Sequence, residues 1–198
     1  MVEVGTGEGQ SGAGGYYPSY EQYIMALDKG WHLAPTNNQD NHKGKWGNAN
    51  DARDVILTDD FSEQGIYEAI RALRMYATED KNLELTYTVN GLMMGSSITE
   101  IPDKLNVEVT VNDPDASDSI AKVEVVANSG KVAYTWDNAD QLRSGKLSAT
   151  LDPSYSYYFI RVTQKDGDLA VTSPVWVGES LKLGISNMVC GTATPVTD

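Results

Sequence analysis

Leu151-Asp152-Pro153-Ser154-Tyr155-Ser156-Tyr157-Tyr158-Phe159-Ile160-Arg161-Val162 carries the strongest architectural signal in the chain. Its first seven residues have the Leu-x-Pro-x-x-x-Tyr form of a tyrosine corner, in which a tyrosine hydroxyl bonds back to the chain as it turns into a strand. The spacing assigns that tyrosine to Tyr157. Tyr158 to Val162 follow as the central strand of a sandwich.

Outward from this corner, the segments 83–89, 105–111, 123–127, 131–136, 147–151, 157–163 and 169–177 all read as strands. Leu105, Val107, Val109 and Val111 alternate strictly with polar residues, the pattern of a strand with one buried face. Asn90-Gly91, Asn112-Asp113-Pro114, Ser129-Gly130 and Asp166-Gly167 supply turns between strands. About seven short strands with regular turn signals predict an antiparallel, immunoglobulin-like β-sandwich over residues 81–180.

Upstream the rhythm is different. Val2-Glu3-Val4 reads as a short strand, and the glycine-rich run from Gly5 to Gly15 as a loop. Pro18-Ser19 opens a helix: Ser19 and Gln22 have capping-box spacing, Tyr20, Ile24 and Leu27 share a face, and Gly30 supplies a stop. Residues 32–36 are a candidate strand, 37–51 a polar loop, and Val55-Ile56-Leu57 another short strand. Ser62 can cap a second helix that turns Ile66, Ile70 and Leu73 inward, with Asp59 and Asp60 before it and Arg71 and Arg74 near its end to suit the helix dipole. Residues 1–80 therefore predict an α/β pattern, and the whole chain an α+β protein. Residues 181–198 carry little regular pattern and read as a tail or a linker to a further module.

The net charge of −13 argues against nucleic acid or an anionic membrane surface as a partner, since phosphate binding needs dense Lys and Arg. Cys190 is the single cysteine, which excludes an internal disulfide. No apolar run approaches the roughly 18 residues of a membrane span, and no basic-then-apolar signal segment opens the chain.

The chemistry-bearing motif is Asp40-Asn41-His42. A carboxylate and an imidazole one residue apart can face a metal from one extended segment. With His32 and His42 the only histidines, the motif lacks the three protein ligands a hydrolytic centre usually has. His32 reads as a structural histidine. Lys43, Lys45 and Arg53 lie near enough in sequence to attract a substrate phosphate. The glycine-rich run lacks the P-loop and dinucleotide fingerprints. Asp113, Asp115 and Asp118 offer oxygen ligands of the kind calcium takes, but without EF-hand spacing, and they read as a turn between strands.

Val2-Glu3-Val4, Tyr23 to Trp31, Gln39-Asp40-Asn41-His42 and Trp46-Gly47 follow one another as in the last part of a polymerase-and-histidinol-phosphatase (PHP) domain. Arg53, Ile66 to Arg71, Arg74 to Thr78, Tyr158 to Gly167 and Ser173 to Val177 continue the match. The chain resembles PHP metallohydrolases of bacterial exported and surface proteins that carry a β-sandwich after the catalytic domain. That resemblance implies the C-terminal portion of a distorted barrel over residues 1–80. It implies a divalent metal (Zn, Mn or Fe) in the intact parent, held in part by Asp40 and His42. Phosphoester hydrolysis would belong to that parent, with Arg53 and Lys43 binding substrate. The N-terminal ligand motifs of the family have no counterpart, so this chain alone is expected to hold no metal and to be inactive. The alternative is a binding or structural module on a bacterial surface, extracellular by the same analogy, which self-associates through unpaired strand edges.

Overall fold

The computed structural model describes residues 1–10, 14–115 and 118–178. The segment 181–198, expected as a tail or linker, lies outside the described residues. In chain order the elements are β1 Val2–Thr6, β2 Tyr17–Pro18, α1 Tyr20–Asp28, β3 Pro35–Asn38, β4 Arg53–Ile56, α2 Glu63–Arg71, β5 Met75–Thr78, β6 Glu84–Val89, β7 Leu92–Met93 and β8 Ser97–Ile98. They continue with β9 Leu105–Asn112, β10 Ile120–Ala127, β11 Lys131–Trp136, α3 Ala139–Ser144, β12 Lys146–Leu151, β13 Tyr157–Gln164, β14 Leu169–Thr172 and β15 Val175–Val177. Among the described residues strand outweighs helix, 42% to 16%, so contacts between sheets set the architecture.

Two sheets carry the core. One runs β12-β9-β6-β7; the other runs β11-β10-β13-β14-β5-β4, with β15 paired to β13 and β8. The alternation read in β9 is real. Leu105, Val107, Val109 and Val111 are buried between the sheets with Leu85, Tyr87 and Val89 of β6, and they meet Val123 and Val125 of β10 and Tyr158, Ile160 and Val162 of β13. The hairpin turns follow their residues. Asn90 and Gly91 both take positive φ (50° and 77°), the geometry of the type I′ turn that Asn-Gly favours.

A third layer covers the other face of the larger sheet. Tyr157 and Phe159 of β13, Val126, Val171 and Trp176 pack there against Tyr23 and Leu27 of α1 and Val4 of β1. The β13 strand is therefore enclosed on both sides. The Tyr23 hydroxyl donates to the Thr172 carbonyl at 3.0 Å. At the far end of α1, Asp28 Oδ1 accepts from the Tyr157 hydroxyl at 2.8 Å and from Ser129 N–H at 2.9 Å. A small sheet, β2-β1-β3, flanks the helix, with β1 and β3 parallel. No barrel closes among the described residues.

Three local expectations are corrected. The corner tyrosine is Tyr158, one position later than the spacing assigns. Its hydroxyl accepts from Tyr155 N–H at 2.9 Å and donates to the Asp152 carbonyl at 3.2 Å, while Tyr157 turns to the opposite face. The expected strand 169–177 is two strands, broken at Ser173-Pro174. There the chain leaves β5, and Thr172 Oγ1 accepts the Ile160 N–H at 2.9 Å to fill the gap. Ser19 makes no side-chain cap; its hydroxyl donates to the Glu3 carbonyl at 2.8 Å and ties α1 to β1. By contrast, Ser62 Oγ accepts from Gly65 N–H at 3.1 Å, as its position predicts.

The expected boundary at residue 80 falls between β5 and β6, which join different sheets. Upstream of it, β5 pairs with β14, with Ala77 opposite Val171.

Candidate functional site: the Asp40–His42 loop

The loop leaves the buried end of β3. Asn37 is held there by its own N–H, which donates to Asp54 Oδ1 at 2.6 Å, and by its side-chain amide, which donates to the Tyr16 hydroxyl at 2.8 Å. Burial pushes the Asp54 carboxyl above its ordinary range, against the pull of the Asn37 N–H. Burial, with Glu79 nearby, likewise pushes the Tyr16 phenol up. Neither group reaches the loop tip. They are a polar seam that fixes where the loop begins.

Beyond Asn38, Gln39 organises the return path. Its Nε2 donates to the Asn50 carbonyl at 3.1 Å, and its Oε1 accepts from Gly47 N–H at 3.2 Å. Asn50 in turn donates to the carbonyls of Gly7 and Gly9, at 2.8 and 3.0 Å, and so fastens the glycine-rich run to the same loop.

Asp40 sits in left-handed backbone, φ 46°, and brings Oδ1 to 3.1 Å from His42 Nε2. Both side chains are well exposed, 66% and 81%. Exposure at this level leaves the pair worth little in stability. Glu8 is the carboxylate that sequence spacing did not offer. Its Oε1 accepts from His42 N–H at 3.4 Å, and its Oε2 stands 4.0 Å from Lys43 Nζ. A partner 34 residues away leaves no local signal; only the glycines on either side of Glu8 hint that the run folds back.

The groove beside the loop, about 370 Å³, is lined by Asn38, Asp40, Asn41, Trp46 and Arg53 among others. Arg53 does not extend into it as a free cation: Nη1 donates to the carbonyls of Asn50 and Ala52, at 2.9 and 2.7 Å. His32 lies apart, stacked on Trp176 with ring centroids 4.0 Å apart and planes 5° from parallel. Among the described residues, no group of three or more His, Cys, Asp and Glu side chains has a metal-holding arrangement. The loop therefore presents one carboxylate and one imidazole to solvent, with a second carboxylate behind them.

Comparisons with known proteins bear on this site only indirectly. The chain is 28% identical over 136 residues to an uncharacterised protein of Chlamydia pneumoniae, 22% over 139 residues to one of Chlamydia muridarum, and 23% over 139 residues to one of Chlamydia trachomatis. Each match covers 62% of this chain and 22% of the relative, so the chain spans about a fifth of the length of these proteins. No family model matches the chain. No solved structure matches it either. The PHP resemblance thus rests on the quoted residues alone.

Proposed function

We propose that this chain is an immunoglobulin-like β-sandwich module that serves a longer bacterial protein by binding or by structural support, rather than by catalysis of its own. One observation carries the reading. The chain's polar and apolar pattern builds two core layers that enclose β13 on both faces, whereas its best chemical motif is a solvent-exposed pair with no third close ligand among the described residues. Among the described residues β11 and β12 are edge strands that supply docking or self-association surface, and Val132 and Tyr134 of β11 are exposed apolar positions there. The extracellular, surface-attached setting belongs to the same proposal.

A second reading keeps the metal. The 3.1 Å approach of Asp40 to His42, with Glu8 behind, favours a partial centre completed by other parts of a larger PHP-type phosphoesterase. There Zn, Mn or Fe would activate water, and Lys43 would stand nearest the phosphoester, with Arg53 held back by the carbonyls of Asn50 and Ala52.

Elemental mass spectrometry of the longer protein that carries this chain, purified without chelator, separates the two, because both readings expect the chain alone to hold no metal. The module reading expects no transition metal in the wild type or in the Asp40→Ala/His42→Ala variant. Near-stoichiometric metal that the variant loses, together with phosphoesterase turnover, would overturn it in favour of the second.

A further inference from the structure

The four tryptophans divide into two pairs. Trp136 and Trp176 are buried in the core, at 1% and 2% exposure, whereas Trp31 and Trp46 stand in solvent, at 63% and 78%. Trp46 lines the groove beside the Asp40–His42 loop, together with Asn38, Gln39, Asp40, Asn41 and Arg53. An indole left this far out of the core contributes little to folding, yet the loop holds it in place. Its N–H donates to the Asn41 carbonyl at 3.1 Å. Just after it, Gln39 Oε1 accepts from Gly47 N–H and Ala49 N–H, at 3.2 and 3.4 Å. Gly44 and Gly47 both take φ 81°, so the backbone bends on either side of the ring. Trp46 is thus a flat apolar surface fixed by hydrogen bonds rather than by burial.

Resting on the module reading, and naming what the module binds, we propose that this groove takes a neutral oligosaccharide with one pyranose ring stacked on Trp46. The apolar C–H face of a pyranose covers an aromatic ring while its hydroxyls point sideways. A sugar site therefore needs one flat apolar surface rimmed by a few placed polar groups. The groove has both. Asp40 turns Oδ1 to His42, and Arg53 commits Nη1 to the Asn50 and Ala52 carbonyls. Asp40 Oδ2 and Arg53 Nη2 and Nε make no hydrogen bond among the described residues. A carboxylate accepts from hydroxyls and a guanidinium donates to them, so the two suit groups that do both. Charge selects among sugars. The net charge of −13, with Asp40 and Asp54 on the groove itself, repels an acidic glycan, and Arg53 on the same wall opposes a basic peptide.

The groove lies on the connection from β3 to β4, outside both layers of the core. A ligand can enter it without parting any sheet, and because the loop is already hydrogen-bonded, binding has little left to order.

Titration calorimetry of the full chain tests this, with cellohexaose and chitohexaose as neutral probes, hexagalacturonate as an acidic one and hexalysine as a basic peptide. The expected result is binding of a neutral probe with a Kd of about 1 mM or tighter, little changed by salt, and no binding of the acidic one. Trp46→Ala should weaken it about tenfold or more, and Trp46→Tyr should recover part of the loss. Trp31→Ala, which removes the other exposed indole, should bind like the wild type. In that variant Trp46 is the one tryptophan left in solvent, so bound sugar should shield it from acrylamide quenching; this readout decides if Trp46→Ala does not fold. The proposal is overturned if neither neutral probe binds at millimolar concentration, if Trp46→Ala binds as well as Trp31→Ala, or if hexalysine binds in place of the sugars. Any of these would leave the module reading standing on its own metal measurement, which sugar binding does not enter.

Discussion

The Tyr87 hydroxyl donates to the backbone carbonyl of Tyr158 at 2.5 Å, from one sheet across the core to the other. The same hydroxyl accepts from Val175 N–H at 2.8 Å. Tyr158 and Val175 are register partners in β13 and β15, so a side chain of the opposite sheet completes their rung of the ladder. Burial pushes this phenol well above its ordinary range.

Tyr87→Phe keeps the ring and removes the bridge, leaving a buried N–H and a buried C=O unsatisfied. The expected cost is about 3 kcal/mol, read from urea unfolding midpoints with an unchanged slope. A loss within a few tenths would show that the two backbone groups find each other without the hydroxyl.

Glu124 and Arg161 are cross-strand partners beneath α1, with Arg161 Nη2 2.7 Å from Glu124 Oε2. The Glu124 side chain is 6% exposed, so removing its partner strands a buried carboxylate. Lys122, 3.0 Å from the other oxygen, recovers part of the loss. Arg161→Met should destabilise by roughly 2–3 kcal/mol, whereas Arg161→Met/Glu124→Leu should recover much of it. Chemical denaturation of both variants checks the ordering.

Alkaline pH should unfold the chain steeply. Burial raises Tyr20 and Tyr76 to about 12, against 10 for the free phenol, and it also raises Tyr23 and Tyr157. The unfolded chain therefore loses these protons first. Stability is intact below pH 10 and falls as pH rises from about 10 through about 12. Tyrosinate absorbance and circular dichroism followed together should change in one concerted step. A smooth phenolic titration with unchanged dichroism would contradict this.

Ser62→Ala should cost about 1 kcal/mol by removing the acceptor for Gly65 N–H. Thermal melts are sensitive enough to resolve it.

What the sequence discloses depends on how far apart the deciding residues lie. Ser62 and the hairpin turns are local and could be read directly. The β9 strand was legible because one face is wet, so polar residues alternate with apolar ones. The β5 strand was not: Met75, Tyr76, Ala77 and Thr78 are all buried, so no alternation marks it, and its partner β14 lies about ninety residues on. The corner tyrosine differs by one place because adjacent strand residues face opposite layers, and the third layer, formed by α1, leaves no mark on the spacing around Tyr157. In the loop, Asp40 and His42 could be paired by spacing, but Glu8 could not.

The pairing of β5 with β14 also bears on heredity. A gene segment beginning after residue 80 would encode most of the strands yet strip β14 of its neighbour and β13 of the helix that covers Phe159. Such a piece could not be shuffled between proteins as a ready-made part. The leading eighty residues and the strands after them must be inherited together, and any recombination that parts them should be selected against for folding alone.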